Sequence, residues 1–559
     1  MRRNLILALS AASILFFTSC SKMGALSADN FDVTPNPLES QAGKVPATIN
    51  GKFPEKYMKR NATVTVIPEL RSSNGQVAQG IPATFQGEKV LGNDQTISYR
   101  LGGHYTMKTE FDYVPDMQKS DMYLTFQARQ GKKAVSIPAV KVAEGVIATS
   151  ELYRQTMMQA GGCVAPDSFQ RLQNQRLDAT VQFLVNQANL RQSELKNNSV
   201  QEFVRMLQKI NADRGETLNM RNVEVAAYAS PEGGYEFNDR LAGKRQDVSE
   251  DYVKQQLKQA KVDAPIDAHY TAQDWEGFQK LVQASNIQDK DVILRVLSMY
   301  KDPEQREQQI RNMSQAFREL ADGILPELRR ARMTINYELV GRSDDQIKEQ
   351  YAADPARLSA EELLYAATLT DNKAEKEAIY KTTARLHDRD YRALNNLAVM
   401  AFNDGDEQMA KDYIQQALRV NKNAPEAYAN LGLIALKNGD LAEAEQNIAK
   451  ATGANALGEA LGNLNIAKGN YQQAVNSFAG NASNSAALAQ LLNKDYEGAL
   501  KTLDAIRTPD AMSSYLHAIV AARRGNKFAA ESYLKEALEK DPSLKAYSEK
   551  DLEFLFLRK

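Results

Sequence analysis

Side chains able to do covalent or metal chemistry are few in this sequence and far apart. There are two cysteines, Cys20 and Cys163, and four histidines, His104, His269, His387 and His517. A protein metal site needs several His or Cys ligands at short spacing, and no two of these six residues stand close together in the chain. There is no Gly-rich phosphate loop, no nucleophile elbow, no His-Glu-x-x-His helix and no Cys–His pair. Catalytic residues, metals and cofactors are therefore not expected, and each histidine reads as a structural one. If Cys20 is modified, no disulfide can close within the chain, so the fold must stand on packing.

The bulk numbers agree with a binding or structural protein. A chain of 559 residues allows roughly three or four domains. The hydrophobic fraction of 43% is enough to build real cores. Sixty-nine basic residues face 70 acidic ones. That balance argues against nucleic acid as the main partner, because phosphate contacts need a basic surplus.

Arg2 and Arg3 precede a short apolar run over 5–17, broken only by Ser. The run is too short to span a bilayer comfortably and has the length of an export signal. Residues 17–20 read Phe-Thr-Ser-Cys, which resembles the lipobox of bacterial lipoproteins, with Phe17 where the family prefers Leu. The resemblance implies removal of residues 1–19 and acylation of Cys20. Each buried CH₂ of such an anchor contributes about 0.8 kcal/mol. Ser21 stands where an Asp would retain a lipoprotein at the inner membrane, and the first acid is Asp29. The expectation is thus an outer-membrane lipoprotein facing the periplasm, the alternative being a secretory signal with an incidental Cys. Residues 20–35, small and polar, read as a membrane tether.

Beyond the tether, alternating apolar and polar residues at 62–67, 96–99, 105–111 and 122–127, punctuated by Gly and Asn, predict a β-sandwich over 36–150. Residues 165–342 mix the two periods. Strands are expected near 179–183, 223–228, 266–270 and 332–339, and helices over 191–210 and after the Ser230-Pro231-Glu232-Gly233-Gly234 turn through Val253. The order is β-α-β-α-β-insert-β, a compact α/β domain. The insert, about 273–328, opens two helical stretches anchored by Trp275, the only tryptophan.

This region resembles the OmpA-like, peptidoglycan-associated domain. The likeness is carried by 183–190 (FLVNQANL), by 225–233 (VAAYASPEG), and by Asn238, Leu241, Ala242, Arg245, Asp251 and Tyr252 in the helix that follows. Arg332 precedes the final strand, where the family also places an Arg. The resemblance implies a peptidoglycan stem peptide as ligand. Arg245 would bind its carboxylate bidentately, and Asn238 would brace the loop. An acid would take the ligand's ammonium, but the matching position holds Ser230, which brings no charge. Glu232 and Asp239 are the nearby acids that could compensate.

Residues 343–358 read as a polar linker. After it the sequence repeats with the period of a tetratricopeptide unit. Leu397 and Leu431, Ala410 and Ala444, Ile414 and Ile448, and Ala417 and Ala451 all stand one such period apart. Gly405-Asp406, Gly439-Asp440 and Gly525-Asn526 mark the turns, and weaker copies surround Ala378, Ala474 and Ala499. Small residues at Ala410, Ala444 and Ala530 let paired helices approach. An all-α solenoid of five or six repeats is expected over 359–544, with a capping helix over 545–559. Such arrays usually offer a surface to proteins or peptides.

Two functions follow. In one, the protein tethers the outer membrane to peptidoglycan and recruits envelope proteins through its repeats. In the other, it is an adaptor of an outer-membrane complex whose OmpA-like domain no longer binds peptidoglycan.

Overall fold

The computed structural model describes residues 23–558 apart from 214 and 288, without side chains at 158–160 and 314–317. Cys20 and the expected signal peptide lie outside the described residues. The chain divides into two compact units. One comprises residues up to Asp167 together with those from Thr370 onward; the other is 168–369.

The first unit opens with strands. Lys44–Phe53 and Gly103–Asp112 pair antiparallel along their full length, and Phe31–Thr34 adds to the other edge of Lys44–Phe53. A second, seven-stranded sheet is built around Ala62–Ser72 and Ser120–Gln130. Every second residue from Ala62 to Leu70 is buried, the period of a strand with one face on a core. Buried residues of both sheets form a single hydrophobic cluster. Lys44–Phe53 was not foreseen, because Pro46 and Gly51 interrupt its alternation. Gly51 is needed there: a Cβ would lie 2.1 Å from the Tyr105 ring of the neighbouring strand.

Residues 23–35 correct the expected tether. Met23 and Leu26 are 1% and 6% exposed and join the β core, and Phe31–Thr34 alternates buried and exposed residues as an edge strand. The segment looks polar in composition, yet its few apolar residues are the ones inserted.

The first unit resumes after residue 369 as an array of antiparallel helix pairs. Lys373–Leu386 leads. The pairs are Arg392–Asn403 with Glu407–Val420, Pro425–Asn438 with Leu441–Ala449, Leu457–Ala467 with Tyr471–Ser477, Asn484–Leu492 with Tyr496–Asp504, and Ala511–Arg523 with Lys527–Lys540. Their sequence cause is repeated. Asp406, Asp440, Asp495 and Asn526 cap the second helix of their pairs, each accepting a backbone N–H three positions on. Ala410, Ala444 and Ala530 are wholly buried, which lets the helices of a pair approach. The chain ends in a short helix, Lys545–Ser548, and a 3₁₀ segment, Leu552–Leu557, capped by Asp551, where a single capping helix was expected.

The second unit holds a four-stranded sheet in the order Leu172–Gln182, Arg330–Val340, Leu218–Tyr228, Ile266–Thr271. The last pair is parallel and the others antiparallel. Helices Asn198–Asp213 and Tyr235–Ala260 share a core with one sheet face. The helix expected over 191–210 is broken before Asn198, because the Asn197 side chain accepts from the Val200 N–H and starts a new helix. The insert is five short helices between Trp275 and Leu328 rather than two stretches, with a cluster of its own. Residues 343–358 are not a linker: Ser343 and Gln346 form a capping box that starts the helix Asp344–Ala353, and Ile347 is its buried anchor. The helix Ala360–Ala366, expected to begin the repeats, also falls in this unit. Among the described residues no helix is long and apolar enough to cross a membrane.

Burial of Met23 has a measurable consequence. Met23→Ala should lower stability by about 2–4 kcal/mol in urea denaturation; an unpacked tether residue would give no change.

Candidate functional site

The segment 149–167, which carries no long periodic pattern, runs along the helical array of its own unit. Thr149–Leu152 and Tyr153–Ala160 are short helical pieces. Tyr153–Ala160 packs on the first helices of four successive pairs, from Arg392–Asn403 to Asn484–Leu492. Leu152, Tyr153, Met157 and Cys163 belong to the same hydrophobic cluster as those helices. The Tyr153 hydroxyl donates to the Leu436 carbonyl at 3.3 Å, and Ser485 Oγ donates to Thr156 Oγ1 at 3.0 Å. Residues 161–167 then continue as an extended strap.

The strap is held through its main chain. The Cys163 N–H donates to Asn430 Oδ1 at 2.7 Å, and the Cys163 carbonyl accepts from Asn430 Nδ2 and Asn395 Nδ2 at 3.0 and 2.9 Å. Two positions on, the Ala165 N–H donates to Asn396 Oδ1 at 2.8 Å and its carbonyl accepts from Asn396 Nδ2 at 3.1 Å. Asn455 Nδ2 donates to the Val164 carbonyl at 3.1 Å, and Arg392 Nη1 to that of Asp167 at 2.9 Å. A primary amide carries a donor and an acceptor on one carbon, so a single Asn can satisfy both polar groups of a strap residue. Asn395, Asn396 and Asn430 are 0%, 2% and 4% exposed. Gly162 is required for the close approach, since a Cβ there would lie 2.6 Å from Asn430 Oδ1. Cys163 is fully buried, and burial, with the Glu459 and Glu426 carboxylates nearby, pushes its thiol pKa up to about 12. It is not a reactive thiolate.

The strap is anchored at its start as well. The strand Val146–Ile147 pairs with Leu38–Glu39, and the Ser150 hydroxyl donates to the Ser40 carbonyl at 3.0 Å. Thr149 Oγ1 donates to Glu553 Oε1. Arg523 bridges Glu553 and Glu39, each at 2.6 Å. The β part, the strap and the last helices thus share one polar junction.

Sequence reasoning missed this site. Asn396 and Asn430 stand one full repeat apart, and that recurrence of a polar residue on helices of otherwise buried face was the available signal.

In the second unit, three of the four residues expected to bind a stem peptide do come together. Asn238 Nδ2 donates to the carbonyls of Ser230, Glu232 and Gly233 at 3.1, 2.9 and 3.3 Å, bracing the loop as its role implies. Gly233 has φ of +91°, which the turn needs. Arg245 does not present its fork. It is 1% exposed, and Nε, Nη1 and Nη2 donate to the carbonyls of Gln187, Tyr228 and Leu184 at 3.0, 2.8 and 3.3 Å. Its guanidinium lies 5.0 Å from the Phe183 ring. Burial and the Arg329 cation push its pKa down to about 10.

The acid of the loop is committed too. The Ser230 hydroxyl donates to Glu232 Oε1, and Arg329 donates to the same oxygen through Nε and Nη2 at 2.9 and 2.6 Å. The insert covers this loop: Glu307 accepts the Gly233 N–H at 2.7 Å. Only about 20 Å³ stays open among Pro231, Glu232, Trp275, Phe278 and Ile310. Trp275 packs edge-on against Phe278, an anchor of the insert. Arg332 corrects its expected place. Its neighbours Ala331 and Met333 point into the core, so strand alternation puts Arg332 on the opposite face of the sheet from Arg245. Among the described residues no group of three or more His, Cys, Asp or Glu is placed to hold a metal ion.

Comparison with known proteins bears on the helices alone. Tetratricopeptide repeat family models match residues 391–423 and 408–458, so the C-terminal part of the chain contains tetratricopeptide repeats. No curated protein matches the chain. Among solved structures, a tetratricopeptide repeat protein from Parabacteroides merdae is 16% identical, over 38% of this chain and 91% of that one, with a TM-score of 0.28. The Cut9–Hcn1 hetero-tetramer of the APC/C is 15% identical over 56% and 75%, with a TM-score of 0.30. PilW, a type IV pilus biogenesis factor, is 16% identical over 39% and 96%, with a TM-score of 0.25. Scores of this size carry nothing about the whole chain.

Two substitutions separate these roles. Asn430→Ala strips the partner from the buried Cys163 N–H and should cost about 2–4 kcal/mol, read by denaturant unfolding of the purified chain. Arg245→Leu removes the side-chain donor to the Gln187 and Tyr228 carbonyls and one of the two donors to the Leu184 carbonyl, and should destabilise the second unit by roughly 2–4 kcal/mol. A ligand-facing Arg245 would instead tolerate the change with unfolding unaltered.

Proposed function

We propose that this chain is a lipid-anchored scaffold of the bacterial outer membrane, with protein partners for its repeats and no grip on peptidoglycan. Tetratricopeptide repeats support a protein-binding role in general. The lipobox-like 17–20 supports the anchor at Cys20, and the absence of Asp at position 21 supports the outer membrane facing the periplasm.

One observation carries the choice between tether and adaptor. The Arg245 guanidinium spends all three of its nitrogens on backbone carbonyls. With Arg245 only 1% exposed, a stem-peptide carboxylate would reach the guanidinium only by displacing the backbone that covers it. Ser230 brings no charge for the ligand's ammonium, and the Glu232 carboxylate is already paired with Arg329. The OmpA-like resemblance then marks the framework of the second unit, used as a structural module.

The repeats also work inward. The strap along their first helices is the chain's own, so the solenoid locks the β part to itself before it meets any partner. Partners would use the surface the strap leaves free.

Mixing the purified chain, without residues 1–20, with isolated sacculi tests the choice. Sedimentation no higher than that of a non-binding control is expected at every salt concentration. Saturable, salt-sensitive co-sedimentation would restore the tether. The anchor is tested separately: Cys20→Ser should move the protein from the membrane to the soluble fraction, and unchanged membrane retention would remove the lipid from the account.

A further inference from the structure

The asparagines that hold the strap recur once more. Asn396 and Asn430 are followed by Asn463 at the matching place of the next first helix. The first two satisfy both polar groups of a strap residue. Asn463 does not: it is 0% exposed, its Nδ2 donates to the Glu459 carbonyl at 2.9 Å, and among the described residues its Oδ1 has no donor. One turn earlier Glu459 is 8% exposed; its Oε1 accepts from Asn481 Nδ2 at 3.2 Å, and its Oε2 has no donor among the described residues either.

The preceding repeat shows the contrast. Glu426, the counterpart of Glu459 near the start of its own first helix, is fully used. Its Oε1 accepts the Asn455 N–H at 3.1 Å, and its Oε2 accepts the Tyr391 hydroxyl at 2.8 Å. Buried acceptors without donors are rare in folded proteins and call for an explanation.

Glu459 is not sealed in the core. It lines a cleft of about 510 Å³ together with Asn481, Ser483, Asn484, Arg507 and Asp510. The strap does not line the cleft but touches its wall, where Cys163 Sγ donates to the Ala456 carbonyl. Burial holds the Glu459 carboxyl above its ordinary pKa, opposed by side-chain hydrogen bonds from Ser483 and Asn481. Neither of them brings a positive charge to offset the carboxylate.

A buried carboxylate oxygen without a donor is best matched by a charged donor, because charge-assisted hydrogen bonds are the strong ones. An arginine fork engages both oxygens of a carboxylate, whereas here, among the described residues, only Glu459 Oε2 lacks a donor, Oε1 accepting from Asn481. A lysine ammonium, a compact point donor, needs only Oε2. Arg507 is exposed at the same cleft, so the chain carrying that lysine would also carry an acidic residue close by.

We propose that this cleft binds a lysine side chain of a peptide partner, with Glu459 Oε2 accepting from its ammonium and Arg507 meeting an acidic neighbour in the same peptide. This deepens the scaffold reading by giving a partner's chemistry. It is tested on the purified chain without membrane or sacculi, so its failure is distinct from failure of the anchor or of the sacculus experiment.

The probe is a fluorescein-labelled peptide, Ala-Glu-Lys-Glu-Ala, with blocked ends, followed by fluorescence anisotropy. Saturable binding is expected. Acetylation of the lysine Nζ should weaken it at least tenfold, a comparison that needs no variant. Glu459→Gln, whose thermal midpoint is recorded alongside, should weaken it by a similar factor, and Arg507→Ala severalfold. Absence of saturable binding, equal binding of the two peptides, or full binding by a folded Glu459→Gln chain overturns the proposal.

Discussion

A main chain that crosses a packed helical face cannot leave its N–H and C=O groups unpaired, since each costs as much as a lost hydrogen bond. A strand would solve this with a partner strand; helices have no free backbone groups to offer along their length. This chain solves it with side-chain amides. Asn430 and Asn396, one repeat apart, each offer a donor and an acceptor to one strap residue. The repeat supplies the spacing and the strap supplies the small residues, above all Gly162, that let backbone and amide meet. The first unit depends on this match, because the strap, with the Glu39–Arg523 ion pair, joins the β part to the helices from Arg392 onward.

The same physics governs the loop of the second unit. Arg245 donates to three carbonyls near the ends of two strands, and Glu232 neutralises Arg329. In both places hydrogen-bonding capacity that could serve a ligand is satisfied within the molecule. An Arg or Asn in a loop-and-helix motif signals hydrogen-bonding capacity; only the surroundings say whether that capacity is spent. The insert tips the balance here, by bringing Glu307 and an apolar cluster onto the loop.

Much of the fold was legible because it rests on local periods. Alternation gave the strands around Ala62–Ser72, Gly103–Asp112 and Ser120–Gln130, and the repeat period gave the helix pairs from Arg392 onward. The strap was not legible. Its one helix, Tyr153–Ala160, is too short for a period to show, and the amides that hold Cys163 and Ala165 belong to helices on the far side of the whole second unit in sequence. Nor did composition reveal the buried Met23 or the helix Asp344–Ala353, since a single inserted side chain such as Ile347 hardly changes a polar window. For Arg332 the signal was present: flanked by apolar Ala331 and Met333 in a strand, it had to face away from the core. For Arg245 the spacing to Asn238 was right, and burial, which decides its role, was beyond the motif.

The central claim is that the strap's backbone is paired inside the helical array, and amide hydrogen exchange reads this directly. In the purified full chain, the Cys163 and Ala165 amides should exchange as slowly as the helices Arg392–Asn403 and Pro425–Asn438 that hold them, because they open only when the array opens. Exchange of these two amides at the rate of an exposed loop, with those helices still protected, would contradict the account.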